Sequence, residues 1–299
     1  MLNFLPSPVI GVLAFTIAII NMLLWTSILF MVTLIKLVFR FNAARKILDP
    51  ILTAIAANWI SGNGFWMWLT QRTEWTVEGL DQLDPKGWYL VTSNHQSWVD
   101  IVVLQKLLNR RIPMLKFFLK KELARIPIMG QAWWALDFPF MSRHSKSYLK
   151  KYPEQAGKDL EATRRSCERF SLIPTSVMNF VEGTRITPEK HKRQKSPYKH
   201  LLKPKAGGMA FAVQTLGEKF HSLIDITIVY PDFTPTFWEF LAGKMHKVTV
   251  IIKERELPES FKTLNYSDNP EDRVAFQKWL GDIWLEKDQL IERRLSSKE

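Results

Sequence analysis

No charged residue appears in this chain before Lys36, and the 27 residues from Val9 to Ile35 are almost wholly apolar. As a helix rising about 1.5 Å per residue, that run is roughly 40 Å long, against a hydrocarbon core of about 30 Å. A segment of this kind enters a membrane as a tilted or bent helix, or enters and returns. A cleaved signal peptide would have a charged start, a shorter apolar core and a small-residue cleavage site, and none of these is present. Lys36, Arg40, Arg45 and Lys46 follow the run, while no Lys or Arg precedes it. The positive-inside rule therefore places the C-terminal side in the cytoplasm.

A second apolar stretch follows. Asp49-Pro50 reads as a helix start, with Asp49 as N-cap and Pro50 in the first turn. Ser61-Gly62-Asn63-Gly64 reads as a break before Phe65-Trp66-Met67-Trp68. Such dense aromatics suit a membrane interface. They equally suit a helix packed on the soluble part, and both readings stay open. The expected division is a membrane-anchoring unit over 1–70 and a catalytic domain over 71–299.

From Trp75 the pattern turns to short β-branched runs alternating with amphipathic ones. Strands are expected at Trp75–Val77, Trp88–Ser93, Ser176–Val181, Ile224–Tyr230 and Lys247–Lys253. Helices are expected at Ile101–Leu108, Asp159–Phe170, Gly208–Leu216 and Glu271–Arg294. Such mixing predicts an α/β domain. In the last helix Phe276, Leu280, Ile283 and Trp284 form a core-facing stripe. The lysine-rich stretch 189–205 reads as a mobile loop.

Of the chain's net charge of +12, residues 141–205 hold most, with 16 Lys and Arg against six Asp and Glu. A localised basic belt fits an anionic membrane, a phosphorylated substrate, an acidic protein or nucleic acid. The single cysteine, Cys167, excludes an intramolecular disulfide and lies in a charged helical pattern that marks it as structural. A G-x-S-x-G elbow and an H-E-x-x-H motif are both missing, so neither an α/β-hydrolase nor a zincin is indicated.

Two short segments carry chemistry. In Asn94-His95-Gln96-Ser97-Trp98-Val99-Asp100 a histidine follows an apolar strand and an aspartate lies one helical turn beyond it. An imidazole titrates near neutrality and can take a proton from a hydroxyl. Asp100 can hold the other ring nitrogen, or it can merely cap the helix through a Ser97–Asp100 capping box. Phe180-Val181-Glu182-Gly183-Thr184-Arg185 closes a later strand. Gly183 permits a tight turn, and Arg185 offers the planar fork that grips phosphate.

In this order and spacing the two segments resemble the motifs of the glycerophospholipid acyltransferase family, the PlsC-like 1-acylglycerol-3-phosphate acyltransferases. N-H-x-x-x-x-D matches Asn94, His95 and Asp100, and F-x-E-G-T-R matches Phe180, Glu182, Gly183, Thr184 and Arg185. Phe140-Met141-Ser142-Arg143 is similar to the family's middle motif. Leu202, Pro204, Lys205 and Gly207 approximate, with one residue shifted, the L-x-P-x-K-x-G that the family often carries beyond F-x-E-G-T-R, and the resemblance spans roughly residues 75–235. Val181, and Ile226-Thr227-Ile228-Val229-Tyr230-Pro231 in place of a proline-rich strand, lean toward the branch of lysocardiolipin and longer lysophosphatidate acyltransferases. As a whole the chain resembles bacterial inner-membrane members.

The resemblance implies a mixed sheet with flanking helices behind an N-terminal membrane helix or re-entrant pair. It implies acyl transfer from acyl-CoA or acyl–acyl carrier protein to a lysophospholipid hydroxyl, with no bound cofactor and no metal. In that scheme His95 is the base and Asp100 orients it. Arg143, Arg185 and Lys205 hold the acceptor phosphate, and Glu182, Gly183 and Thr184 shape the binding turn. Lys116, Lys120 and Lys121 are alternative phosphate contacts. The implied partners are the two substrates, the membrane and an acyl carrier protein, with no nucleic acid. The rival reading is a non-enzymatic module that binds anionic lipid or nucleic acid through the basic belt. It leaves the pairing of the two motifs as coincidence.

Overall fold

The computed structural model describes residues 2, 4–39, 41–81, 83–141, 173–266 and 268–296. The expected helix Asp159–Phe170, Cys167 and Arg143 lie outside the described residues.

The apolar run forms α1 (Ser7–Val38), the one described helix long and apolar enough to cross a membrane, with a mean hydropathy of 2.2 in its most apolar window and few buried side chains. It folds back onto α2 (Asn42–Thr70), and the backbone N–H of Leu2 reaches the carbonyl of Leu69 at 3.0 Å. α2 starts earlier than Asp49 and runs unbroken through Pro50 and Ser61–Gly64. Two packing facts explain the difference. Asp49 is held by Lys36 at 2.8 Å and by Arg45 at 3.6 Å, so it bridges helices instead of capping one. A Cβ at Gly62 would stand 2.0 Å from Asn21 Oδ1, so Gly62 marks the close crossing of α1 and α2. Asn21 Nδ2 there donates to the Trp59 carbonyl at 2.9 Å and to Asn63 Oδ1 at 3.0 Å. This packing outweighs the roughly 1 kcal/mol that a helical glycine costs.

Next come β1 (Glu74–Glu78), β2 (Tyr89–Ser93), α3 (Val99–Leu108), β3 (Leu115–Phe117), β4 (Leu119–Lys120), α4 (Met129–Ala135) and β5 (Phe140–Met141). The second half holds β6 (Ser176–Asn179), α5 (Pro188–Gln194), α6 (Gly207–Leu216), β7 (Ser222–Val229), α7 (Phe237–Leu241), β8 (Lys247–Glu256), α8 (Glu259–Lys262) and α9 (Pro270–Ser296). Six strands make one sheet in the order β1-β8-β7-β2-β6-β3, and β4 pairs with β5. β3, β6, β2 and β7 run parallel, β8 is antiparallel to β7, and β1 is parallel to β8. This is the expected mixed sheet. β2, β6 and β7 are buried along their whole length, as parallel strands covered on both faces must be.

One face is covered by α6 and α9, where Met209, Val213, Phe276, Leu280 and Trp284 pack with Val177 and Leu223. The other carries α3 and α7, with Val103, Leu104 and Phe240 against Val91 and Ile224, and Trp66 and Met67 of α2 join them. Leu29 and Ile55 of the first two helices pack on Ala132 and Ala135 of α4. α1 and α2 are therefore seated on the α/β part. The stretch 189–205 differs from a mobile loop. Thr187 caps α5, Leu201 and Leu202 are buried, and the N–H groups of Lys199 and His200 donate to Asp288 at 2.9 and 2.7 Å.

Candidate active site

β2 delivers the first motif to the carboxyl end of the parallel strands, where ligands bind in open α/β sheets. β2 stops at Ser93 while β7 runs on, so the backbone of Ile228 faces a gap. Asn94 fills it. Its amide donates to the Ile228 carbonyl and accepts from the Ile228 N–H, both at 2.8 Å, which continues the ladder through a side chain. Gln96 Nε2 donates to the same carbonyl at 2.9 Å.

His95 follows. Its Nδ1 lies 2.9 Å from Asp100 Oδ2. Its ring stacks on Phe180 with centroids 4.0 Å apart, and Phe180 in turn stacks on Phe117 at 6.1 Å. With its orientation held by a carboxylate and by a ring face, His95 keeps Nε2 as its remaining ring nitrogen. Asp100 is fully buried. Its Oδ2 also accepts from the backbone N–H of Gln96 at 2.6 Å and of Ser97 at 2.9 Å, while Oδ1 accepts from the Tyr230 hydroxyl at 2.7 Å. Asp100 thus faces the imidazole and holds the turn before α3 through two backbone N–H groups, while the Ser97 hydroxyl accepts from the N–H of Val99 at 3.1 Å, so the reciprocal Ser97–Asp100 capping box is not formed. Burial, and then the charge of Asp100, hold the Tyr230 phenol well above its ordinary range, so it stays a donor.

The second motif closes on the first. Glu182 is fully enclosed. Its Oε1 accepts from the His95 N–H at 2.9 Å and its Oε2 from the Leu202 N–H at 2.8 Å. Burial pushes its carboxyl up to about 7, against the lowering effect of those two N–H groups and of the Lys287 charge. Grouped by sequence with the substrate-binding residues, Glu182 has no surface on which to meet a substrate. It ties the His95 loop to the segment around Leu202. The N–H of Ile186 adds a second tie to the His95 carbonyl at 2.9 Å.

Gly183 has φ +70°, a conformation that favours glycine, and an added Cβ would lie 3.3 Å from the Lys205 side chain, which runs over the turn. The Lys205 N–H donates to the Val181 carbonyl at 2.6 Å. Thr184 Oγ1 and the Arg185 carbonyl accept from Lys190 Nζ at 2.8 and 2.9 Å. The Arg185 guanidinium lies 4.6 Å from the ring centre of Trp98, a half-exposed indole one turn from His95. The structure therefore brings His95, Asp100, Glu182, Gly183, Thr184, Arg185 and Lys205 to one end of the sheet. Lys116 departs from a surface cation. It is buried in β3, and desolvation pushes it down to about 8, with Asp137 and Asp49 opposing. Lys120 and Lys121 are exposed.

A family model described as acyltransferase matches residues 74–231, more than half of the chain. The chain belongs to the acyltransferase family. It is similar to 2-acyl-1-lysophosphatidylinositol acyltransferase of Saccharomyces cerevisiae, with 29% identity over 248 residues, covering 68% of this chain and 60% of that protein. It is also similar to 1-acyl-sn-glycerol-3-phosphate acyltransferase gamma of Mus musculus, with 24% identity over 238 residues, 76% of this chain and 58% of that one. The crystal structure of the 1-acyl-sn-glycerophosphate acyltransferase PlsC from Thermotoga maritima superposes with a TM-score of 0.55 at 18% identity, over 96% of both chains. At that identity the likeness shows the fold. The chain spans about three fifths or less of the length of these curated relatives.

Tyr230 and Asn94 are neighbours of the His95–Asp100 pair whose contacts sequence reading did not supply. Tyr230 lies in the segment Ile226–Pro231 that stands in place of the family's proline-rich strand. Its hydroxyl, directed at Asp100 from 130 residues away, is a tertiary fact.

Proposed function

We propose that this chain transfers a fatty acyl group from an acyl thioester to the free hydroxyl of a lysophospholipid such as 1-acyl-glycerol-3-phosphate. The observation that carries the reading is the buried pair of His95 Nδ1 and Asp100 Oδ2 at 2.9 Å, set beside a turn bearing Arg185. His95 Nε2 takes the hydroxyl proton as the oxygen forms its bond to the thioester carbonyl carbon. The C–S bond then breaks, and the departing thiolate recovers the proton from the imidazolium. Asp100 stabilises that imidazolium, and Tyr230 steadies Asp100. Arg185, with Lys205 and Arg143, holds the acceptor phosphate, so that fixing the phosphate also fixes the nucleophile. No cofactor enters the scheme, and the donor is acyl-CoA or acyl–acyl carrier protein.

Residues 1–70 serve as an uncleaved membrane anchor and 71–299 as the catalytic domain, which faces the cytoplasm, at the inner membrane of a bacterial cell. The length and apolarity of α1 and the basic flank after it support this. The test is incubation of the purified full chain with labelled acyl-CoA or acyl–acyl carrier protein against a panel of lysophospholipids. Labelled diacyl product is expected with phosphate-bearing acceptors. A folded preparation that consumes neither thioester with any lysophospholipid overturns the proposal.

A further inference from the structure

The two cations that meet in the second motif are used differently. Lys190 Nζ is taken up by Thr184 Oγ1 at 2.8 Å and by the Arg185 carbonyl at 2.9 Å. The Arg185 guanidinium meets no carboxylate and no hydrogen-bond acceptor among the described residues. What it meets is the Trp98 indole, with 4.6 Å from the guanidinium carbon to the ring centre.

Both partners of this contact are fixed by their backbones. Trp98 stands just before α3, between the buried Ser97 and Val99. The N–H of Ser97 donates to Asp100 Oδ2 at 2.9 Å and the N–H of Val99 to Ser97 Oγ at 3.1 Å. From this rigid turn the indole stands out, 50% exposed. On the other side Lys190 holds the Arg185 carbonyl, and the N–H of the next residue, Ile186, donates to the His95 carbonyl at 2.9 Å. Arg185 is thus joined to the loop of the base twice, through the backbone at Ile186 and through the side chain at Trp98.

The kind of holder matters. A carboxylate would hold a guanidinium by its paired N–H donors and cancel its charge, and those donors are what a phosphate needs. An indole attracts a cation through the charge distribution of its ring face, and the ring presents no oxygen to bind the fork. The cation is kept near His95 while its charge and most of its five donors stay open.

We propose that Trp98 is a positioning residue for the acceptor phosphate: its indole holds the Arg185 fork at a fixed place relative to His95 without consuming the donors that grip the phosphate. The effect on turnover rests on the acyl-transfer reading given above; the effect on binding of a phosphate-bearing lipid does not. Without the indole, the arginine side chain has to be ordered by the phosphate itself, which should weaken binding by about three- to tenfold.

The test uses the full chain in detergent micelles, with lysophosphatidate and neutral monoacylglycerol as paired probes. Trp98→Leu is expected to raise the lysophosphatidate Kd, measured without donor, and its KM by that same factor. The kcat should change far less, and the monoacylglycerol values should stay in place. Trp98→Phe, which keeps an aromatic face, should recover most of the loss. In the Arg185→Ala background, Trp98→Leu should have no further effect. Equal losses on both probes overturn the proposal and reassign Trp98 to the fold or to contact with the bilayer. It is overturned as well by a folded Trp98→Leu with unchanged Kd, by Trp98→Phe no better than Trp98→Leu, or by a loss that persists without Arg185. Trp98→Gln is made alongside with the same expectations as Trp98→Leu; if neither folds, Trp98 is a determinant of folding and the positioning role fails. A protein that binds lysophosphatidate with this Trp98 dependence yet acylates no lysophospholipid supports the Trp98–Arg185 fork and counts against acyl transfer instead.

Discussion

Replacing Asp100 by asparagine separates its two jobs. The amide oxygen can still accept from the N–H groups of Gln96 and Ser97, now 2.6 and 2.9 Å away, and the Tyr230 hydroxyl can turn to accept from the new NH₂. The cap therefore survives in large part, and the fold should lose about 1–2 kcal/mol or less. The charge does not survive. With Nδ1 and Oδ2 2.9 Å apart, the centres of charge of the imidazolium and carboxylate stand roughly 5 Å apart. At an effective dielectric near 20 their attraction is about 3 kcal/mol. If the transition state holds most of a proton on His95, Asp100→Asn should lower kcat by roughly 10²-fold. Thioester consumption with a lysophosphatidate acceptor gives kcat, and thermal unfolding of the same preparation gives the stability change. A folded variant retaining more than about a third of wild-type kcat would falsify the assignment and leave Asp100 as a cap.

His95→Ala should cost about 10²–10⁴ in turnover without unfolding the protein; a folded mutant above a tenth of the wild-type rate removes His95 as the base. Arg185→Lys should be impaired and Arg185→Ala more so, with both effects largest on phosphate-bearing acceptors, because lysine keeps the charge but not the planar fork. Equal losses on neutral monoacylglycerol and on lysophosphatidate would reassign Arg185 to the fold or the donor. Glu182, raised from 4.5 to about 7, contributes stability that is fully present below about 4.5 and is lost as pH rises through about 7. Glu182→Gln should therefore flatten the pH dependence of stability by roughly 3 kcal/mol between those limits, as read from denaturant unfolding at several pH values. Alkaline carbonate should leave the full-length chain in the membrane fraction; complete release would exclude α1 as an anchor.

Much of this site is local, and that part was legible in the sequence. His95 and Asp100 stand five residues apart on one loop and helix start, so sequence spacing alone puts them within reach. The strands were visible because parallel strands buried on both faces read as unbroken β-branched runs. What stayed hidden was set by distant packing. α2 continues through Ser61–Gly64 because α1 needs a small residue at 62, a requirement held by Asn21 some 40 residues earlier. β3 is three residues long and carries no periodicity. Leu201 and Leu202, which fasten the lysine-rich stretch to the core, are outnumbered by charges that point to solvent. Glu182 looked like an ordinary acid in a turn, and only the fold encloses it.

The buried carboxylates explain why the end of this sheet is built from charges at all. An apolar residue at 182 would avoid the desolvation of a carboxylate, and replacing buried ionic groups by well-packed apolar ones is often neutral or stabilising. An apolar side chain could not take the N–H of His95 and the N–H of Leu202 at once, and these two bonds fix where the imidazole begins. The requirements then oppose each other across the pH range. Acid favours the fold, because the buried carboxyl prefers its proton, while the ionised carboxylate is the stronger acceptor for the His95 N–H. In such a protein stability and turnover should move in opposite directions between about pH 5 and 7, which is the expected mark of a site whose geometry is held by ionised groups in its own core.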